Sequence, residues 1–201
     1  MFSSLLEIAG VISGLIYVIL AVRTNSWCWV FGAVTSLIYT VLFWQSDIYL
    51  DALLSVFYLG MSISGWIQWQ KVKHQHHDKA SNTQESFTVR RLTLKQQLAL
   101  LSTIAGLTLA ATFFLSLTDS PRPLVDSFTT VSSLFATWLL VKQYLDNWIY
   151  WIVINAVNIA HYVDRDLLLT GSVLYFAYLI AAIIGALYWY KLSRQTAEVA
   201  V

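Results

Sequence analysis

The chain has 201 residues, of which 58% are hydrophobic and 11% are charged, whereas a soluble domain carries about 25% charged residues. This composition excludes a disordered chain and argues against a soluble enzyme, because the surface of a soluble enzyme needs more charge. The formal net charge of +1 gives no electrostatic basis for nucleic acid as a partner. The composition therefore predicts an all-α polytopic membrane protein in contact with the lipid bilayer.

Seven stretches of the sequence are long and apolar enough to form membrane-spanning helices. In chain order they are 4–22, 27–45, 48–69, 96–117, 124–142, 147–163 and 167–190. Charged or turn-prone residues separate these stretches, and the longest separator is the polar run 70–95. Seven spans place the two ends of the chain on opposite sides of the membrane.

The basic residues predict which end is cytoplasmic, since cytoplasmic loops carry an excess of Lys and Arg. With seven spans, one side holds two basic residues, Arg122 and Arg165, and the other side holds ten. Six of those ten lie in the 70–95 loop. The bias predicts a multi-pass protein of the bacterial inner membrane with its N-terminus outside and its C-terminus in the cytoplasm.

An internal repeat relates the two halves of the chain at an offset of 119 residues, with one residue of slip near the end. The matched pairs include Ser13 with Ser132, Trp29 with Trp148, Ser36 with Asn155, Gly65 with Gly185, and Trp69 with Trp189. The predicted organisation is a three-helix repeat at 1–70, a cytoplasmic loop at 71–95, a connector helix at 96–117, a second three-helix repeat at 124–191 and a cytoplasmic tail at 192–201. Such a 3+1+3 parallel repeat is typical of transporters that hold their substrate near the membrane midplane, between the halves.

Span 6 carries a stripe of Trp and Asn at helical spacing, which places these side chains on one face. Its members are Trp148, Trp151, Asn155, Asn158 and Tyr162. The stripe could pack against another helix or line a cavity, where Trp stacks on a flat ring and Asn offers a donor and an acceptor. A matching stripe in span 2, with Trp29, Gly32, Ser36, Tyr39 and Phe43, favours the cavity.

Further hydroxyl groups complete the predicted substrate site, namely Ser55, Tyr58 and Ser62 in span 3 and Thr130 in span 5. Most other hydroxyls of span 5 are expected to be close-packing points. Glu7 and Asp126 are expected to be interfacial carboxylates, with a cation-coupling pair as the alternative. His74, His76 and His77 are interpreted as part of a polar linker, because no carboxylate or Cys completes a metal site.

The sequence contains no nucleotide-binding fingerprint and no constellation for covalent or metal chemistry. It therefore predicts a protein that is not an enzyme, with no catalytic residues, no metal and no cofactor. Its predicted partners are a small-molecule substrate and the bilayer, and the sequence is compatible with a homo-oligomer.

Several short segments together carry a family resemblance. They are Asn25–Gly32, Ile48–Asp51, Gly65–Trp69, Asp126–Thr130 and Asn147–Trp151 with Asn155. On these segments the sequence resembles the Pnu-type vitamin transporters over nearly all of the chain outside 70–95. The resemblance implies a 3+1+3 fold similar to SWEET-type sugar transporters. It also implies facilitated diffusion of a flat-ringed vitamin precursor, which a cytoplasmic kinase then phosphorylates and traps.

The resemblance makes nicotinamide riboside, a precursor in NAD biosynthesis, the first expectation for the substrate. Members that transport this riboside typically carry amide side chains at or near the positions of Ser55 and Ser62, and Tyr at the position of Ser64. The smaller serines leave thiamine, or another vitamin or nucleoside, as the alternative. From other classes, a non-transporting ligand sensor and an ion-coupled transporter also remain open.

Overall fold

The computed structural model describes residues 2–47, 49–77, 89–118, 121–163 and 171–199. The described residues form seven α-helices, which confirms the predicted all-helical class. The helices are α1 (Phe2–Val22), α2 (Cys28–Gln45), α3 (Tyr49–His77), α4 (Leu94–Leu115), α5 (Pro123–Val141), α6 (Asn147–Val163) and α7 (Gly171–Val199).

Five of these helices, α1, α2, α4, α5 and α7, are long and apolar enough within the described residues to cross a membrane. Large apolar side chains on the helices are open to the surroundings, for example Ile8, Leu53 and Phe113 at 57%, 67% and 63% exposure. A soluble protein rarely exposes continuous apolar faces of this kind, whereas a bilayer covers them. The chain is therefore a multi-pass membrane protein.

The two remaining helices depart from this rule for different reasons. The α6 helix has 17 residues, at the short end of the roughly 17–25 residues that span a bilayer. The α3 helix has 29 residues, with Asp51 in its first turn and a polar last third. The α3 helix continues to His77, beyond the predicted end at 69. The prediction stopped early because hydropathy reports where a helix leaves the lipid and not where the helix ends. For the same reason α7 continues beyond 190 to Val199.

The chain forms two compact units, Met1–Thr88 with Lys191–Val201, and Val89–Tyr190. In the first unit α1 packs on α2 and α2 on α3, and in the second α4 packs on α5 and α5 on α6. The apolar core of the second unit consists of Ile104, Val131, Ala136, Leu139, Tyr150 and Ile154. Because Ile104 belongs to α4, the predicted connector helix is part of the core of the second unit.

The α1–α2 turn and the α5–α6 turn have the same backbone conformation. Thr24 and Gln143 lie 119 residues apart, and both adopt the left-handed region, with φ of 55° and 62°. The backbone hydrogen bonds also correspond, from Thr24 N to Ala21 O (3.1 Å) and Asn25 N to Leu20 O (2.9 Å), and from Gln143 N to Leu140 O (3.0 Å) and Tyr144 N to Leu139 O (2.9 Å). The two turns therefore reverse the chain in the same way.

In the first unit, an indole ring lies directly on a glycine of the neighbouring helix. Trp29 of α2 packs on Gly65 of α3, where any Cβ would overlap the indole. The ring of Trp29 also meets Trp69 edge-to-face, with centroids 5.3 Å apart and planes at 87°. The absent side chain at Gly65 thus sets the separation between α2 and α3.

The second unit repeats this arrangement between α6 and α7. Trp148 packs on Gly185, where a Cβ would lie 2.6 Å from the indole Cδ2. Trp148 meets Trp189 edge-to-face, with centroids 5.6 Å apart and planes at 82°. The sequence repeat aligns Trp148, Gly185 and Trp189 with Trp29, Gly65 and Trp69. The same three residue types therefore make the same contacts in each unit.

We expect Gly185→Ala to lower the melting temperature of the detergent-purified protein, because the new methyl group must displace Trp148. Overpacking of this kind destabilises by roughly 1–3 kcal/mol. Gly106→Ala on α4 is the matched control, because nothing lies within 4 Å of a Cβ at that position. Equal melting temperatures for the two variants would contradict the proposed role of Gly185.

Candidate functional site: the aromatic and amide stripe of α6

The stripe on α6 faces protein rather than lipid over its described part. Trp148 and Asn155 are buried, at 3% and 4% exposure, and Trp151 and Asn158 are half-buried. The side chain of Tyr162, also predicted for this stripe, lies outside what the structure describes. Ile149, Val153 and Ala156 of the same helix are exposed, whereas Tyr150 and Ile154 are buried in the core of the second unit.

Asn155 lies at the middle of α6, halfway between Asn147 and Val163. Its Nδ2 donates a hydrogen bond of 2.8 Å to the carbonyl oxygen of Trp151. This bond uses one of the two amide hydrogens and fixes the orientation of the amide group. A second donor and the carbonyl oxygen are the groups that Asn155 can offer to a ligand.

The two tryptophans of the stripe differ in their surroundings. Trp148 is held between Gly185 and Trp189, and its Nε1 is buried without a hydrogen-bond partner among the described residues. Trp151 is half-buried and packs at the edge of the core of the second unit. The geometry therefore favours Trp151 for stacking on a ligand ring, and Trp148 for holding α6 against α7.

The predicted members on α2 lie in the first unit. Trp29 is 1% exposed beneath Gly65, and Ser36 is also buried. Tyr39 is half-buried and stacks on Phe43, with centroids 5.6 Å apart and planes at 24°. Of the two predicted aromatic rings, that of Tyr39 is the more exposed.

The predicted members on α3 are small or already engaged. Ser55 and Ser62 are buried, and Tyr58 is half-buried. The hydroxyl of Ser62 donates to the carbonyl oxygen of Tyr58 at 2.9 Å, so its proton is used within the helix. Ser62 also packs closely on Gly32 of α2, where a Cβ would lie 3.0 Å from its Oγ.

Thr130 on α5 is exposed, whereas its neighbours Ser127 and Ser132 are buried at 2% and 1% exposure. The burial of Ser127 and Ser132 agrees with a packing role, but the hydroxyl group of each has no hydrogen-bond partner among the described residues. Glu7 is exposed, and Asp126 is half-buried near the start of α5.

A short segment before α4 is bonded to the α5–α6 turn, a contact that the sequence did not predict. Arg90 N donates to Gln143 O at 2.9 Å, and Leu145 N donates to Arg90 O at 2.8 Å. Leu92 N donates to the carboxylate of Asp146 at 2.9 Å. These bonds secure the residues just before α6, the helix that carries the stripe.

No group of three or more metal-ligating side chains occurs in the part of the chain that the structure describes. His74, His76 and His77 lie in α3, but their side chains are outside the described set.

Several helices are long and apolar enough to span a membrane, and they expose apolar faces. The α6 helix in addition turns a stripe of aromatic and amide side chains toward the protein. These features define a polytopic helical membrane protein. Residues 4–191 match the nicotinamide mononucleotide transporter family. Since the match covers nearly the whole sequence, the chain belongs to this family.

Curated relatives include the nicotinamide riboside transporter PnuC of Escherichia coli K12, which is 24% identical over 96% of this chain and 87% of its own length. PnuC of Haemophilus influenzae is 26% identical over 92% of this chain and 79% of its own length. The crystal structure of the vitamin B3 transporter PnuC has a similar fold, with a TM-score of 0.76 at 21% identity, over 96% of this chain and 83% of that one.

We expect Trp148→Ala to lower the melting temperature more than Trp151→Ala, since only Trp148 fills the space on Gly185. Removing a buried aromatic side chain destabilises by roughly 3–5 kcal/mol. Trp138→Ala serves as the control, because Trp138 is 42% exposed. Differential scanning fluorimetry in detergent would measure all three variants. A smaller loss for Trp148→Ala than for Trp138→Ala would contradict the assignment.

Proposed function

We propose that this protein transports nicotinamide riboside across the bacterial inner membrane by facilitated diffusion. The observation that carries the proposal is the extent of the similarity. The relative from Escherichia coli, named as a nicotinamide riboside transporter, aligns over 96% of this chain and 87% of its own length. A match of this length includes every helix rather than a single shared segment.

The proposed architecture is seven spans in a 3+1+3 parallel repeat, similar to SWEET-type transporters. The α3 and α6 helices complete the set, with α4 as the connector. Two observations support the repeat, namely the matching turns at Thr24 and Gln143 and the matching indole–glycine contacts in each unit. A parallel repeat of this kind suits a substrate site near the midplane.

The proposed orientation puts the N-terminus outside and the C-terminus in the cytoplasm. The second unit supports it, because the start of α4 and the α5–α6 turn lie at the same end. Arg90 pairs with the backbone beside Lys142, and the guanidinium of Arg91 lies 4.9 Å from the ring centre of Tyr190 near the end of α7. Basic residues thus gather at the end that the positive-inside rule assigns to the cytoplasm.

Substrate recognition would use the half-buried part of the α6 stripe. Nicotinamide riboside carries a cationic pyridinium ring, and a cation over Trp gains about 0.5–2 kcal/mol, depending on desolvation. Trp151 is the stacking residue in this proposal, and Asn155 and Asn158 hydrogen-bond the polar groups. The full predicted set, which stays part of the proposal, is Trp29, Ser36, Tyr39, Ser55, Tyr58, Ser62, Thr130, Trp148, Trp151, Asn155, Asn158 and Tyr162.

Facilitated diffusion alone equalises concentrations, so net uptake requires a reaction that consumes the substrate inside the cell. Phosphorylation by a cytoplasmic kinase would supply it, since a phosphate group adds about 1.5–2 negative charges and hinders return through a neutral site. The kinase acts on the substrate pool, and the proposal requires no direct contact with the transporter.

Thiamine is the second candidate, and the α3 serines favour it. Ser55 and Ser62 are buried, and the proton of Ser62 is bonded within its own helix. These side chains offer less hydrogen bonding to a carboxamide than amide side chains would. A site lined by these serines would select its substrate mainly by the cationic ring, and thiamine carries a cationic ring as nicotinamide riboside does.

The test is uptake of labelled nicotinamide riboside into proteoliposomes, with thiamine as competitor. We expect downhill uptake without an imposed proton or sodium gradient, and Trp151→Ala to lower it at least fivefold through the lost ring contact. Trp138→Ala is the matched control for removing an indole from a neighbouring helix.

Binding without flux would favour the ligand sensor instead, and flux that depends on an ion gradient would favour a coupled transporter. Full competition by thiamine, with weak competition by unlabelled riboside, would change the substrate assignment. Equal uptake by Trp151→Ala and Trp138→Ala would remove the stacking role of Trp151.

A further inference from the structure

Ser132 on α5 has a buried hydroxyl group without an internal partner. The residue is 1% exposed, and its Oγ makes no hydrogen bond within the described structure. An unpartnered hydroxyl is unfavourable in a membrane-spanning helix, because no water is present to satisfy it. A bound substrate would supply the missing hydrogen-bond partner.

Some hydroxyl groups on the helices of this protein bond to the carbonyl oxygen four residues earlier. This bond is formed by Thr35, Thr40, Ser62, Thr103, Thr112, Thr129 and Thr137. Two of them, Thr129 and Thr137, are on the same helix as Ser132. Ser132 makes no such bond, and the buried hydroxyl groups of Ser127 and Thr108 also have no partner among the described residues.

The equivalent serine of the first unit has a partner. Ser13, 119 residues earlier, donates to the carbonyl oxygen of Phe31 at 3.0 Å and so links α1 to α2. The same offset leads from Phe31 to Tyr150. Ser132 makes no bond to Tyr150 or to any other described residue, so its hydroxyl does not serve the interhelical role of Ser13.

Ser132 lies at the depth of the α6 stripe. It is midway along α5 (Pro123–Val141), as Asn155 is midway along α6 (Asn147–Val163). The two helices pack together and run in opposite directions across a short turn. Residues at the centres of such a pair occupy the same level of the membrane, which is where transporters of this architecture hold their substrate.

We infer that Ser132 is a substrate-contacting residue that determines specificity, and that its hydroxyl hydrogen-bonds a ribosyl hydroxyl or the carboxamide of the transported nucleoside. This inference rests on the proposed function. A serine hydroxyl can donate one hydrogen bond and accept others, which fits neutral polar groups. Close packing between helices does not require the hydroxyl, since alanine would serve it equally well.

The first experiment measures the Kd for nicotinamide riboside and the melting temperature of Ser132→Ala. We expect the Kd to rise about five- to tenfold, which corresponds to the loss of one hydrogen bond. The melting temperature should not fall, because no internal bond is lost. Ser13→Ala is the matched control, for which we expect a lower melting temperature and an unchanged Kd.

The second experiment repeats the binding measurement with nicotinamide riboside analogues lacking one polar group, namely the 2′-deoxy, 3′-deoxy and nicotinic acid ribosides. One analogue should bind more weakly than the parent to the wild-type protein, and the difference should disappear in Ser132→Ala. Ser132→Cys, which keeps the shape of the side chain with a larger and weakly bonding sulfur atom, replaces the alanine variant if that variant does not fold.

An unchanged Kd for Ser132→Ala, or equal discrimination among the analogues by variant and wild type, would overturn the inference. Either result leaves the proposed function intact, provided that the wild-type protein binds the riboside. A wild-type protein that binds and transports thiamine but not the riboside would overturn the proposed function itself. The two failures are therefore distinguishable.

Discussion

The contact between an indole and a glycine on the next helix is the constraint on which each unit of this protein depends. Trp29 and Trp148 are almost completely buried, and their rings occupy space that any side chain at Gly65 or Gly185 would fill. In lipid, close packing takes the place of the hydrophobic effect as the force between helices. A large flat ring on a bare backbone maximises this packing and sets the rotation of the helix that carries it.

The orientation of α6 follows from this contact. With Trp148 fixed on Gly185, helical geometry turns Trp151, Asn155 and Asn158 to the adjoining part of the same face. The hydrogen bond from Leu92 to Asp146 secures the residue before the helix. The start of the stripe is therefore held by the hydrogen bonds of Arg90 and Leu92 to the α5–α6 turn and by the packing of Trp148 on Gly185.

Much of the fold was predictable because hydropathy and turn residues report directly on lipid contact. The predicted span 147–163 has the same bounds as α6, and the α5 prediction differs by one residue at each end. The extension of α3 to His77 was not predictable in this way, because its last turns are polar and helical at the same time. The bonds of Arg90 and Leu92 to the α5–α6 turn join segments more than fifty residues apart, and no local pattern indicates such pairing.

The site was less predictable than the fold, since a stripe identifies a face but not which of its residues remain open. Periodicity treats Trp148 and Trp151 alike, and only the position of Gly185 separates them. Ser132 was not predictable either, because a small hydroxyl residue on a membrane helix is usually a packing point. The sequence did contain one signal, the alignment of Ser132 with Ser13, but its meaning depends on a hydrogen bond that one serine makes and the other does not. The two units share the turn conformation and the indole–glycine contact, so a hydroxyl group that is paired in one unit and unpaired in the other marks a position where their packing differs.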